Sequence, residues 1–199
     1  MKPNGTMAVV MGLALGFSPV LAQAQSVNVT RSILPDQPYT LIYPDAMVAS
    51  GSAGEPLIIN HPNAPLQCTL EVVRVEDTGW SAQDALASLN EADVTAAWND
   101  SLPGFALGDS GTAAYQDATA LVYEGTSTDS PMGIPLTLVH TETVAEGRGY
   151  ALDCLFATEV AQQARPIVDF IIANFSTRAD AGCCVGVQAA EPDSAPPAQ

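Results

Sequence analysis

The hydrophobic period changes several times along this chain, and each change marks an element. From Gln67 to Glu76 apolar and polar residues alternate, with Cys68, Leu70 and Val72 on one side, which is the pattern of a strand with one buried face. Tyr39–Tyr43 and Leu57–Ile59 read as shorter strands, closed by Pro44-Asp45 and by Asn60-His61-Pro62-Asn63. Three more strands are predicted at Thr119–Glu124, Leu136–Thr143 and Tyr150–Thr158, the last two joined by the turn Glu146-Gly147-Arg148-Gly149. Ala46–Pro56, Asn99–Gly111 and Gly125–Pro135 are dense in turn-forming residues and read as loops. Helical spacing takes over in two regions. Ser81 is a good N-cap with Asp84 three residues on, and Ala82, Ala85, Leu86 and Leu89 form one stripe, with a second helical piece from Glu91 to Trp98. The strongest periodicity comes last: Ala164, Ile167, Val168, Ile171, Ile172 and Phe175 line one side of a helix.

This order predicts an α+β fold, an antiparallel sheet of about six strands packed by two main helices. The predicted organisation is a signal peptide over 1–24, a loose leader over 25–37, one domain over 38–178 and a disordered tail over 179–199.

The opening "YTLIYPDA", the "TGW" before the first helix, "ALVYEGTS", "LTLVHTETVAEGRGYALDCLF" and the closing "IVDFIIANF" together resemble the PsbP-like superfamily. That group takes in extrinsic photosystem proteins, DcrB-like periplasmic proteins and a small Ran-binding nuclear transport factor. The resemblance covers residues 39–175 in element order and hydrophobic pattern. It implies a sandwich fold and a non-enzymatic accessory or binding role. The paired loops with which photosystem members assist calcium and chloride retention have no counterpart in this sequence.

Targeting and charge narrow the role further. Met1 and Lys2, the apolar run Met7–Leu21 and the Ala22-Gln23-Ala24 site form the three parts of a secretory signal, with Pro19 breaking the run before the cleavage site. No later segment approaches the roughly 20 apolar residues of a membrane helix, so no stable membrane insertion is expected. Formal net charge is −16, with 22 acidic side chains against six basic ones, and the single lysine, Lys2, lies in the signal. A field of that sign repels phosphate backbones and anionic headgroups, which argues against nucleic acid as a partner. It suits solubility first, and a cationic partner second.

Candidate chemistry is sparse. Gly108-Asp109-Ser110-Gly111 matches the surroundings of a serine-protease nucleophile, but His61 in Asn-His-Pro-Asn lacks the context of a general base, and Asp, Ser and Gly are ordinary turn residues. With only His61 and His140, the latter read as a partly exposed strand residue, a histidine metal site is hard to build, and no calcium loop or phosphate loop occurs. No catalytic residue, metal or cofactor is therefore assigned.

Four cysteines allow three pairings. Cys68 and Cys154 both face inward on their strands and could bridge, whereas Cys183 and Cys184 are adjacent and fall in the expected tail. The favoured role is an exported, periplasmic or secreted, non-catalytic domain acting on an unknown protein partner. The alternative is a thiol or soft-metal protein using Cys183 and Cys184. The signal makes a direct prediction: mass spectrometry of exported protein finds a mature N-terminus within a residue or two of Gln25. Intact Met1 on cytoplasmic material would remove the export argument.

Overall fold

A computed structural model describes residues 26–76 and 79–184, so the expected signal segment and residues 185–199 of the expected tail lie outside the described residues. Strand β1 (Val27–Arg31) pairs antiparallel with β2 (Thr40–Pro44) as a two-stranded ribbon. Seven further strands make the main sheet: β3 (Val48–Ser50), β4 (Leu57–Asn60), β5 (Leu66–Arg74), β6 (Phe105–Ala114), β7 (Thr119–Ser127), β8 (Leu136–Ala145) and β9 (Arg148–Ala157). Their spatial order is β3-β4-β5-β9-β8-β7-β6, and every neighbouring pair is antiparallel. Helices α1 (Ala82–Ser88) and α2 (Glu91–Asn99) lie on one face, and α3 (Ala161–Ala173) lies on the other with the β1–β2 ribbon.

The strongest sequence signal builds the larger core. Ala164, Val168, Ile171 and Ile172 of α3, followed by Phe175, pack on Cys68 and Leu70 of β5, on Tyr150, Leu152, Cys154 and Phe156 of β9, and on Leu41 and Tyr43 of β2. Strand β9 alternates buried and half-buried positions along its length, as a strand with one fully covered face must. A smaller core sits under α1 and α2, where Leu102, Phe105, Leu121, Tyr123, Leu136 and Leu138 pack against Trp80, Leu86 and Trp98. Gly125 has no side chain because the Phe105 ring lies where a Cβ would be.

Caps and turns follow local chemistry. The Ser81 hydroxyl accepts from the Asp84 backbone N–H, and the Asn90 side chain accepts from Ala92 and Asp93, so both short helices start on a side-chain cap. The β8–β9 turn is tighter than the four residues expected. Glu146 and Gly147 alone occupy it, with φ of 51° and 75°, the two left-handed positions of the turn that matches strand twist.

Several predicted loops and boundaries differ. Val27–Arg31 lies in the expected loose leader, yet it pairs along β2; its Val-Asn-Val-Thr alternation is short, and only the pairing distinguishes it from an extended leader. Val48–Ser50 forms a strand within the expected 46–56 loop, and β7 continues through Gly125 to Ser127. The largest difference is β6. Residues 105–111 were expected in a loop, and Gly108-Asp109-Ser110-Gly111 was read as a turn, but the segment is an edge strand whose register shifts between Leu107 and Ser110. An edge strand has one side in water, so it tolerates small polar residues, and a bulge breaks the period-two pattern by which strands are recognised. The start of the expected tail is also held: Arg178 pairs with Asp180, and Arg31 Nη2 donates to the Ala181 carbonyl at 3.2 Å.

The disulfide Cys68–Cys154 joins residues directly opposite in the β5–β9 register, with Cα atoms 4.0 Å apart. It closes a loop of 86 residues, which in the chain-entropy account constrains the unfolded chain by about 4–5 kcal/mol before any native strain. Cys183 and Cys184 are bonded to each other and close no loop of consequence. Replacing Cys68 and Cys154 with alanine is expected to lower the denaturant midpoint strongly, and replacing Cys183 and Cys184 to leave it nearly unchanged. The opposite ranking would mean that the tail contributes to the core.

Candidate functional site

The register lays side chains in rows across the sheet. Ile58, Thr69, Asp153, His140 and Tyr123 are successive partners on β4, β5, β9, β8 and β7, so they stand side by side on the α1–α2 face. Helices α1 and α2 pack on β6, β7 and the adjoining part of β8, and no helix among the described residues packs on this face of β5 and β9. The row therefore runs from a covered half of the sheet into an open one.

His140 stands at the boundary between them. It is a buried residue rather than the partly exposed one expected from its strand position. Its Nδ1 lies 2.6 Å from Asp153 Oδ1, its Nε2 is 3.6 Å from Glu142 Oε2, and its ring stacks on Tyr123 with centroids 4.4 Å apart. Trp98 of α2 closes the group from above: its indole N–H donates to the Tyr123 hydroxyl at 2.8 Å, and its ring meets His140 edge-on. Sequence reasoning missed this cluster, because its members are scattered over 56 positions and only the strand register brings them together.

The chemistry of the cluster is that of a held cation. Burial works against the charged imidazole, but the bonds to Asp153 and Glu142 outweigh it and hold the pKa up at about 9. At neutral pH His140 is an imidazolium donating to Asp153 on the face of a tyrosine, a favourable cation–π arrangement. It has no lone pair to offer as a general base. Burial also pushes the Tyr123 phenol up to about 12.

Ser110 shares the row but not the cluster. It pairs with Tyr123 from the outer side, so the hydroxyl is two strand spacings from His140, about 10 Å, with the phenol ring between. His61 lies in its turn, where Nδ1 accepts from the Asn63 backbone N–H at 3.3 Å. Cys183 and Cys184 follow the Arg31–Ala181 contact on β1 and take no part in the row. Among the described residues no group of three or more histidine, cysteine or carboxylate side chains is placed to hold a metal ion, and no helix is long and apolar enough to cross a membrane.

The open half of the face is apolar and acidic together. Its β5 residues are Gln67, Thr69, Glu71 and Val73, and its β9 residues are Gly149, Ala151, Asp153 and Leu155. Val48 and Val73 are 60% and 46% exposed on this face, and Met132, 64% exposed, borders it in a cleft of about 190 Å³ with Gln67, Leu136 and Leu155.

His140 gives the protein a defined pH dependence. A group whose pKa is higher in the folded state stabilises the fold fully below its unfolded value near 6.5 and loses that contribution as pH rises through about 9. The shift corresponds to up to about 3 kcal/mol. Urea unfolding of the parent is expected to weaken between pH 6.5 and 9.5, and His140→Gln to be less stable at pH 6.5 and to lack this decline. An identical slope in both proteins would show that His140 is not the titrating group.

No family model and no curated protein sequence matches the chain. Solved structures do. Cyanobacterial PsbP (CyanoP) from Synechocystis superposes over 81% of this chain and 98% of its own, at a TM-score of 0.52 and 13% identity. The Ran-binding protein Mog1p of Saccharomyces cerevisiae superposes over 76% of this chain and 96% of its own, at a TM-score of 0.50 and 9% identity. Both likenesses span most of each chain, and with the antiparallel α+β sandwich described above they show that this chain has the PsbP-like fold.

Proposed function

We propose that this protein is an exported, non-catalytic binding domain that holds a protein partner against the open half of its sheet, on β5 and β9. The observation that carries this reading is the combination of exposed Val48, Val73 and Met132 on or beside one uncovered sheet face. These side chains lie at both ends of β5 with Gln67, Thr69 and Glu71 between them, so a segment running along the strand would meet apolar contacts at each end and polar ones in the middle. The protonated His140 offers no base to Ser110, which lies two strand spacings away, so no activated nucleophile is built there, and this favours binding over catalysis. A yeast protein of the same fold is a Ran-binding protein, and that precedent agrees with a protein-binding role on this framework. Export is supported by the signal-like N-terminus and by the Cys68–Cys154 disulfide, which suits an oxidising compartment.

Position-specific photocrosslinking tests the reading. A photoreactive residue in place of Thr69, at the centre of the open face, is expected to give a discrete adduct in the native exported fraction, and one in place of Gln163, on the outer side of α3, is not. Val73→Lys puts a cation beside the open-face carboxylates at a half-exposed position, where its long stem can stay on the surface, and is expected to keep the fold and to abolish the Thr69 adduct. Equal adducts from both positions, or a Thr69 adduct indifferent to Val73→Lys, would reject this face as the binding surface.

A further inference from the structure

The open face ends in a cleft of about 230 Å³ whose lining includes Trp80, Glu71, Glu142, Ala151, Val73 and Val75. Ala151 pairs with Glu71 on one side and Glu142 on the other, so a small residue forms the floor between two carboxylates carried on strands two spacings apart, about 10 Å. Trp80 supplies an aromatic wall at the end of the segment leading into α1.

From this geometry we infer that the cleft receives an arginine or lysine side chain, and that the partner on the open face is a basic polypeptide segment. The inference rests on the proposed binding role of that face. Charge complementarity selects the occupant. Among the described residues no cationic side chain lines the cleft. The neighbouring Arg74 and Arg148 belong to the opposite face of their strands, where they reach Asp36, with Glu146 also beside Arg148. Arg165 is engaged by Glu124 and Asp169, and Arg178 by Asp180. Glu71 has no ion-pair partner among the described residues, and Glu142 has only the longer contact of His140, whose closer partner is Asp153. Among the described residues Glu71 has no cation and Glu142 shares His140 with Asp153, so the pair has room for a further cation. The volume is below the roughly 300–1,000 Å³ of sites that enclose whole small molecules, so it suits a single side chain. A guanidinium or ammonium between two carboxylates and an indole face uses both Coulombic and cation–π attraction.

The test titrates acetyl-arginine amide into isotopically labelled protein and follows amide and indole NMR signals, with acetyl-citrulline amide as the neutral isostere. Saturable shifts are expected at Glu71, Glu142, Ala151 and the Trp80 indole with arginine and not with citrulline. Glu71→Gln should weaken binding roughly two- to five-fold, the range of one exposed charge contact. Trp80→Leu removes the π face together with part of the volume packed on the smaller core, and is expected to lower the melting temperature by a few degrees and, measured where the fold is intact, to weaken binding by a similar factor. Equal shifts with citrulline, or arginine shifts as large at Glu91 and Asp93 of α2 as around Glu71, would overturn the inference. So would spermidine binding more tightly than an arginine-containing peptide, since that would identify a free polyamine as the occupant. A Thr69 photoadduct undiminished in Glu71→Gln and Trp80→Leu would overturn the basic anchor while leaving the open face as a binding surface.

Discussion

The register of β9 between β5 and β8 is the constraint on which the rest of the protein depends. One set of its side chains, Tyr150, Leu152, Cys154 and Phe156, faces α3, and the intervening set, Gly149, Ala151, Asp153 and Leu155, faces the other way. A slip of one residue would exchange the two sets, placing Asp153 under α3 and exposing Phe156. Two devices oppose that slip. The two-residue Glu146–Gly147 turn fixes β9 against β8, and the Cys68–Cys154 bond fixes it against β5.

With the register set, the two faces diverge in character. On the α3 side the sheet is sealed by one helix, the β1–β2 ribbon and a continuous apolar core. On the other side two short helices reach across β6 and β7 and leave β5 and β9 bare. His140 marks the border, where burial by Trp98 and Tyr123 would expel a charge that Asp153 and Glu142 retain. A buried ion pair of this kind is a costly way to stabilise a core, and its effect is to hold Asp153 and Glu142 in place at the edge of the open face.

Strand order and a hydrophobic pattern suffice to specify a fold, and this one is shared with a cyanobacterial PsbP and a yeast Ran-binding protein at only 13% and 9% identity. What each protein binds is decided by side chains pointing away from the core, which such a pattern leaves free to vary. On the binding reading proposed above, those side chains in this chain are Glu71, Glu142 and Val73, with Trp80 as the wall between the cleft and the smaller core.

The sequence by itself determined the elements whose apolar period is strong and whose partners are near. These are α3 with its apolar stripe from Ala164 to Ile172, the hairpin around Glu146-Gly147, the Ser81 cap, and the inward facing of Cys68 and Cys154. Such features are local, since a period or a cap is written in consecutive residues. Tertiary structure decided the edge strand β6, where a bulge at Gly108-Asp109 disguised a strand as a turn, and the pairing of Val27–Arg31, whose partner alone makes it regular. It also decided the candidate site. His140, Asp153, Tyr123 and Trp98 lie far apart in the chain, as do Glu71, Trp80 and Glu142, and no spacing rule links them. Only the hydrogen-bonded register of antiparallel strands turns separate positions into one row, and only the reach of α1 and α2 decides where that row meets water.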